Sequence, residues 1–303
     1  MNSGTRPSAP PIVGILIGIA AVSSASIFIR FAQREAPSLV IAAARLALTS
    51  LILVPLALTR YRDEYRKLLR SDWWLAVIAG IFLAVHFATW ISSLEYTTVA
   101  SSTVLVSTSP LFVAIAAWLL LRERIGPSVI VGLVLTLVGS ALVGLSDAGK
   151  ASGMTRSALL GDVLAFAGAV TVAGYLIIGR RLRAKLPLVP YIALVYGTAA
   201  VTLVTMAAVA RQSFVGYSPA TYGWMLLLAL GPQLIGHSSF NWALAHLPAT
   251  FVSVATLGEP IGSTILAYFI FQEAPTIVKI VGAVTILAGI VAASKNQSAS
   301  ESS

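Results

Sequence analysis

The chain has 303 residues, of which 57% are hydrophobic and only 10% charged, with a mean hydropathy of +0.90 and no cysteine. Soluble domains carry about 25% charged residues, so a soluble enzyme and a disordered chain are excluded; the absence of cysteine excludes disulfide scaffolds and thiolate chemistry. The net charge of +9 follows from where the basic residues fall and calls for no nucleic-acid partner.

Ten apolar segments follow one another: 12–31, 38–59, 73–93, 98–121, 128–146, 158–179, 188–210, 221–245, 248–271 and 275–294. Each approaches the roughly 20 residues a helix needs to cross hydrocarbon. None alternates with the period of two of a membrane β-strand. The predicted fold class is therefore all-α integral membrane, with ten transmembrane helices.

The second segment carries Arg45. Its guanidinium either receives a substrate carboxylate, which its fork of donors matches, or serves structure by pairing or snorkelling. The third segment places Phe82, His86 and Trp90 at i, i+4 and i+8, a spacing that keeps them on one helix face. The fourth contains Pro110 and ends at Glu123; the fifth carries Gly132 and Gly139. In the eighth, Gln233, His237 and Asn241 repeat the four-residue spacing just behind Gly231 and Pro232. The ninth sets Ser253, Thr256, Glu259 and Ser263 on one face beside Pro260, and the tenth, preceded by Glu273, carries Gly282 and Gly289.

Polar side chains inside a span face the protein interior or a water-filled cavity. The functional reading of the two stripes, with Glu259 and Arg45, is a substrate-binding cavity. The alternative is hydrogen bonding that joins helices. Glu259 has three readings: it binds a substrate amine, takes up a proton, or anchors Arg45. Pro110, Gly231, Pro232 and Pro260 are candidate hinges, since proline interrupts the helical ladder. Glu123 and Glu273 close their helices and are expected to be structural.

With the N-terminus in the cytosol, Arg6, Arg60, Arg62, Arg66, Lys67, Arg70, Arg122, Arg124, Arg180, Arg181, Arg183, Lys185 and Lys295 fall on the inner face. Only Arg34, Lys150, Arg156 and Arg211 fall outside, as positive-inside topology requires. The inner loops then meet anionic lipid. Residues 1–11 and 295–303 are cytosolic tails, and 147–157 is an external linker. Gly144 to Lys150 imitates a phosphate-binding loop, but Ala151 stands where Ser or Thr should hold magnesium. No cofactor or metal is expected, and no catalytic residues.

The halves 12–146 and 158–294 resemble each other at an offset of 150: Pro110 and Pro260, Glu123 and Glu273, Gly132 and Gly282, Gly139 and Gly289. Five spans per half force the second half to enter the membrane from the opposite side, an inverted repeat of the kind secondary transporters use. With its Pro…Glu fourth helices and Gly-x6-Gly fifth helices, the chain resembles the drug/metabolite transporter superfamily, EamA type, and within it the bacterial aromatic amino-acid exporters. Arg122 and Gln272 stand where that family usually has Gly before the Glu. The resemblance implies an exporter of small molecules in the bacterial inner membrane, working by alternating access on amino acids, aromatic ones favoured, or related metabolites. The alternative is a multidrug or cationic-compound exporter of the same fold. A cysteine introduced at Lys150 is expected to react with an impermeant thiol reagent applied from outside intact cells, and one at Arg66 is not; the reverse labelling inverts the topology.

Overall fold

A computed structural model describes residues 10–97, 99–148, 156–271 and 276–300. Its helices are α1 (Pro11–Val22), α2 (Ala25–Ala32), α3 (Ser38–Arg60), α4 (Arg62–Arg66), α5 (Arg70–Tyr96), α6 (Val99–Val106), α7 (Ser109–Ala116), α8 (Pro127–Ala148), α9 (Arg156–Arg183), α10 (Leu188–Val209), α11 (Pro219–Leu228), α12 (Ser238–Ala243), α13 (Ala249–Thr256), α14 (Glu259–Phe271) and α15 (Ile277–Ser300). Two π-helical stretches, Ala117–Leu121 and Ala229–His237, prolong α7 and join α11 to α12. Proline sets several starts, having a preset φ and no N–H to leave unpaired. Pro37 and Pro187, 150 apart, hold extended backbone immediately before α3 and α10.

Eight helical stretches among the described residues are long and apolar enough to cross a membrane: Pro11–Ala32, Ser38–Arg60, Arg70–Tyr96, Val104–Leu121, Ser157–Arg183, Leu188–Val209, Ala249–Ile270 and Ile277–Ser294. The other two predicted segments are helical as well, as α8 and as the run from α11 through α12. Leu51, Leu120, Val201, Phe269 and Ile277 are each at least two-thirds exposed. In water they would form an adhesive surface; in lipid they are solvated by hydrocarbon. The chain is a multi-pass membrane protein. Glu273, Gln272, Lys150, the first nine residues and 149–155 of the linker lie outside the described residues. Helix α15 runs on to Ser300, into the stretch read as a polar tail, because no proline or glycine follows Gly289 to stop it.

The helices pair across the two halves. Helix α3 packs on α10, α5 on α9, α1 on α12 and the π stretch before it, and α8 on α15. The α8–α15 contact rests on glycine. A Cβ added at Gly132 would lie 2.6 Å from the Gly289 carbonyl oxygen, and one at Gly139 would lie 2.7 Å from that of Gly282. Reciprocally, Cβ atoms at Gly282 and Gly289 would each come within 2.8 Å of the Gly139 and Gly132 carbonyls. The partner's number falls as the first rises, so the helices are antiparallel. Adding 150 to the first-half glycine of either contact and subtracting it from the second-half one gives the other contact.

Fourth and ninth segments break at matched places, at Ser107–Thr108 and at Leu257–Gly258, and Pro110 and Pro260 stand in the first turns after the breaks. At Gly231–Pro232 the helix does not break but widens into π geometry, and Thr49 Oγ1 of α3 donates to the Ala229 carbonyl at 3.0 Å. That is how an interrupted ladder is re-satisfied inside a membrane. The first segment also breaks, at Ser23–Ser24, and Ser263 donates to the Ser23 carbonyl at 2.9 Å. Outside the spans, Glu35 accepts from the Ser218 N–H and the Thr221 hydroxyl, both at 2.8 Å, and so holds the start of α11 from a distance. Those hydrogen bonds keep its carboxyl below the ordinary range.

Arg122 ends the Ala117–Leu121 stretch in the left-handed region, at φ 55°. This is the position where the resemblance calls for glycine, and the conformation is the reason: a side chain there costs about 1–2 kcal/mol. Arg122→Gly is therefore expected to raise stability by about 1 kcal/mol. Gly139→Ala is expected to lower it by about 1–3 kcal/mol, because the added methyl meets backbone that cannot swing aside. Gly223→Ala, where a Cβ meets nothing within 4 Å, is expected to be neutral or to gain up to about 1 kcal/mol in helix propensity. Thermal melts in detergent measure all three.

Candidate functional site

A cavity of about 250 Å³ lies between the halves, just below the range for ligand pockets, about 300–1,000 Å³. Its wall follows the repeat. Phe87 and His237, Trp90 and Phe240, Ser107 and Leu257, and Ser109 and Glu259 all line it, and each pair is 150 apart. The matched breaks of the fourth and ninth segments are therefore part of the wall. Arg30 in the last turn of α2, Val143 late in α8 and Lys279 in the first turn of α15 extend it toward one end of the bundle.

One side is a chain of rings. Trp90 stacks on His86 with centroids 5.9 Å apart and planes 9° apart. His86 touches Phe87 at 5.0 Å, Phe87 meets His237 edge-on at 5.3 Å, and His237 meets Phe240 at 6.3 Å. His86 Nδ1 donates to the Gly168 carbonyl of α9 at 2.9 Å, which fixes its tautomer and leaves Nε2 an acceptor. Trp90 also meets α9 at Gly168, where an added Cβ would lie 3.4 Å from that of Trp90.

Arg45 reaches the cavity floor with only 1% exposure. Its Nε donates to Gln233 Oε1 at 2.7 Å, and its guanidinium lies over the Phe87 ring, 4.2 Å from the centroid. Its Nη1 and Nη2 find no acceptor among the described residues. Glu259 lines the same cavity at the start of α14, and its carboxylate accepts no hydrogen bond from the described residues.

The structure thus brings Arg45, His86, Trp90, His237 and Glu259 to one cavity. It sends the other three elsewhere. Phe82 packs its ring against α9 at Gly174. Gln233 is fully buried behind Arg45. Asn241 is fully buried too, where it accepts from the Tyr175 hydroxyl at 2.8 Å and donates to the Tyr196 hydroxyl and the His237 carbonyl, both at 2.9 Å. Of the hinge candidates, Pro260 lines the cavity, Pro110 follows the Ser107–Thr108 break, and Gly231 and Pro232 lie in the π stretch. Phe87, Phe240, Tyr175 and Ser107 line the cavity without a sequence signal of their own; pairing His237 with its repeat mate would have pointed to Phe87.

The end opposite Arg30 and Lys279 is tied shut. Arg180 Nη1 donates to the Leu244 carbonyl at 2.7 Å, and its Nε lies 3.5 Å from Glu123 Oε1. Glu123 in turn faces the Ala249 N–H at 3.5 Å. Arg183 donates from Nε to the Asn241 carbonyl at 2.9 Å and from Nη1 to the Leu186 carbonyl. A surface depression of about 700 Å³ beside Glu123 is bounded only by 118–125, a single stretch of chain, and encloses no side chain from the other half.

Two like halves of apolar helices around one buried polar cavity define a membrane transporter, and the comparisons agree. Residues 9–145 and 159–295 each match the EamA-like transporter family; the chain belongs to that family. It is a transporter and not an enzyme. An uncharacterized transporter of Archaeoglobus fulgidus is 24% identical over 87% of this chain and 90% of its own. The pseudopaline exporter CntI of Pseudomonas aeruginosa is 27% identical over 74% and 75%. A crystal structure 20% identical in sequence superposes with a TM-score of 0.77 over 93% of this chain and 96% of its own, a likeness of fold.

Asn241→Leu is expected to lower stability by about 1–3 kcal/mol, since it leaves the Tyr175 and Tyr196 hydroxyls short of their shared partner in a dry interior. Melting of the purified variant measures this.

Proposed function

We propose that the chain crosses the bacterial inner membrane ten times as two inverted five-helix repeats, both termini cytosolic, and exports amino acids, aromatic ones favoured, by alternating access. The antiparallel, self-exchanging glycine contact of α8 with α15 supports the inversion: helices that cross a bilayer, related by such an exchange, need a two-fold axis in the membrane plane. The observation that carries the substrate is the composition of the cavity. A wall of five rings from Trp90 to Phe240 offers a flat apolar side chain a stacking surface, and Glu259 faces it as a partner for an amine. The export direction is supported by one relative, named an exporter.

The cationic-compound reading fits less well. The wall carries the buried guanidinium of Arg45, which repels a cation brought beside it. The breaks at Ser107–Thr108 and Leu257–Gly258 are the pivots of the cycle in this reading. The ties from Arg180 and Arg183 are its cytosolic seal, closed while the cavity extends outward.

Counterflow of labelled phenylalanine and tryptophan in proteoliposomes tests the proposal. Trp90→Ala is expected to slow exchange by up to about tenfold, the worth of one aromatic contact, with a smaller melting shift than Asn241→Leu. His86→Ala is expected to lose exchange and also some stability, because it breaks the bond to Gly168. Unchanged exchange in both variants removes the substrate assignment.

A further inference from the structure

A guanidinium taken out of water is expensive unless paired, and an ionisable group in a span marks function more often than packing. Arg45 is such a group, 1% exposed in the middle of α3. What surrounds it satisfies only one edge. Gln233, itself 0% exposed, takes the Nε hydrogen at 2.7 Å, and the Phe87 ring lies 4.2 Å from the guanidinium carbon. Together they fix the plane and rotation of the fork. Nη1 and Nη2, the pair that grips two oxygens at once, meet no acceptor among the described residues. Glu259, the one carboxylate on the cavity wall among the described residues, forms no ion pair with Arg45 within 4.0 Å.

We propose that Arg45, held in register by Gln233, is an anion subsite that receives the carboxylate of the transported molecule. The inference rests on reading this cavity as the transport site, and it sharpens the substrate class: the molecule must carry a carboxylate, and an amine without one is rejected. Gln233 is a positioning residue, acting through Arg45. Arg45 has Val195 as its repeat counterpart, 150 residues on, so the fold needs no arginine at that place in the other half.

The test uses the full-length protein in detergent with three probes that share a phenyl ring: L-phenylalanine, 3-phenylpropanoate, which lacks the amine, and phenethylamine, which lacks the carboxylate. Binding is read by calorimetry. The two carboxylates are expected to bind at least about tenfold more tightly than phenethylamine, in line with a charge-assisted bidentate contact. Arg45→Met is expected to abolish that preference, and Gln233→Leu to reduce it while leaving phenethylamine unaffected. Arg45→Met removes the buried charge but leaves Gln233 Oε1 without its donor; should the variant fail to fold, Gln233→Leu and the wild-type series still decide.

A second measurement frees the subsite from the aromatic reading. Sodium acetate, compared with sodium chloride at equal ionic strength, is expected to raise the melting temperature of the wild type and not of Arg45→Met. If phenethylamine binds as tightly as phenylalanine, or if the carboxylate preference survives Arg45→Met, the anion subsite is overturned while an amino-acid exporter remains. If no phenyl probe binds but acetate still stabilises through Arg45, the subsite stands and the aromatic reading falls. If neither phenyl probes nor acetate respond, both fall.

Discussion

Inside hydrocarbon a backbone N–H or C=O has no water to turn to, so each place where a helix stops being α must be answered by another part of the protein. This constraint governs where the chain can be irregular. The break at Ser23–Ser24 is answered by the Ser263 hydroxyl, and the π widening around Pro232 by Thr49. Three irregular places, at Ser23–Ser24, Ser107–Thr108 and Leu257–Gly258, sit at or beside the cavity wall. The protein thus spends its few non-helical turns where backbone borders a polar space. The same turns are where rigid half-helices can tilt against one another.

The scaffold was legible because its signals are repeated. Hydropathy marks the segments. Two glycines seven apart on the fifth and again on the tenth segment marked the repeat, and the same four glycines make the close contact of α8 with α15. Repetition failed where geometry departs from a regular α-helix. A stripe at four-residue spacing assumes 3.6 residues per turn. The stretch Ala229–His237 closes on i+5 instead, and of its stripe only His237 lines the cavity, while Gln233 is taken up by Arg45 and Asn241 by Tyr175 and Tyr196. On α5 the 40° drift per step was enough to turn Phe82 onto α9 while His86 and Trp90 kept the cavity. Arg122 was legible as an oddity in sequence, but its left-handed backbone is a property of the helix end that no side-chain pattern encodes. Phe87 and Tyr175 were hidden for the opposite reason: an aromatic residue in an apolar span looks like any core residue.

The chemistry of the site lies where the halves differ. Val22 and Val172, like Trp90 and Phe240, preserve shape and apolar character across the repeat, and they build the wall. Glu259 faces Ser109, His237 faces Phe87, and Arg45 answers to Val195. A cavity on a two-fold axis with identical linings would offer each end of a substrate the same partners. Replacing one member of a pair by a charged or polar residue gives the cavity a direction, with a cationic floor at Arg45 and an acid at Glu259. An amino acid has that same polarity.

The two ends of the bundle are unequal in a related way. Arg30 and Arg180 are repeat counterparts, 150 residues apart, but Arg30 lines the cavity while Arg180 ties Leu244 and Glu123 together at the far end. In a structure built from two like halves, equal environments for these arginines would mean a cavity sealed or open at both ends alike. In the alternating-access cycle proposed above, their difference distinguishes one access state from its mirror. Exchanging their roles needs no new fold, because each half already contains the other's geometry. Among the described residues the ties at the sealed end include two ion pairs, Arg180–Glu123 at 3.5 Å with both partners part-exposed and Lys185–Asp72 at 2.8 Å with the lysine half-exposed, and arginine bonds to backbone carbonyls that free up as the helix ends part. Exposed pairs are worth little, about 0–1 kcal/mol. In the proposed cycle, a seal made of such contacts can be exchanged for its mirror by the differential binding of substrate to the two states.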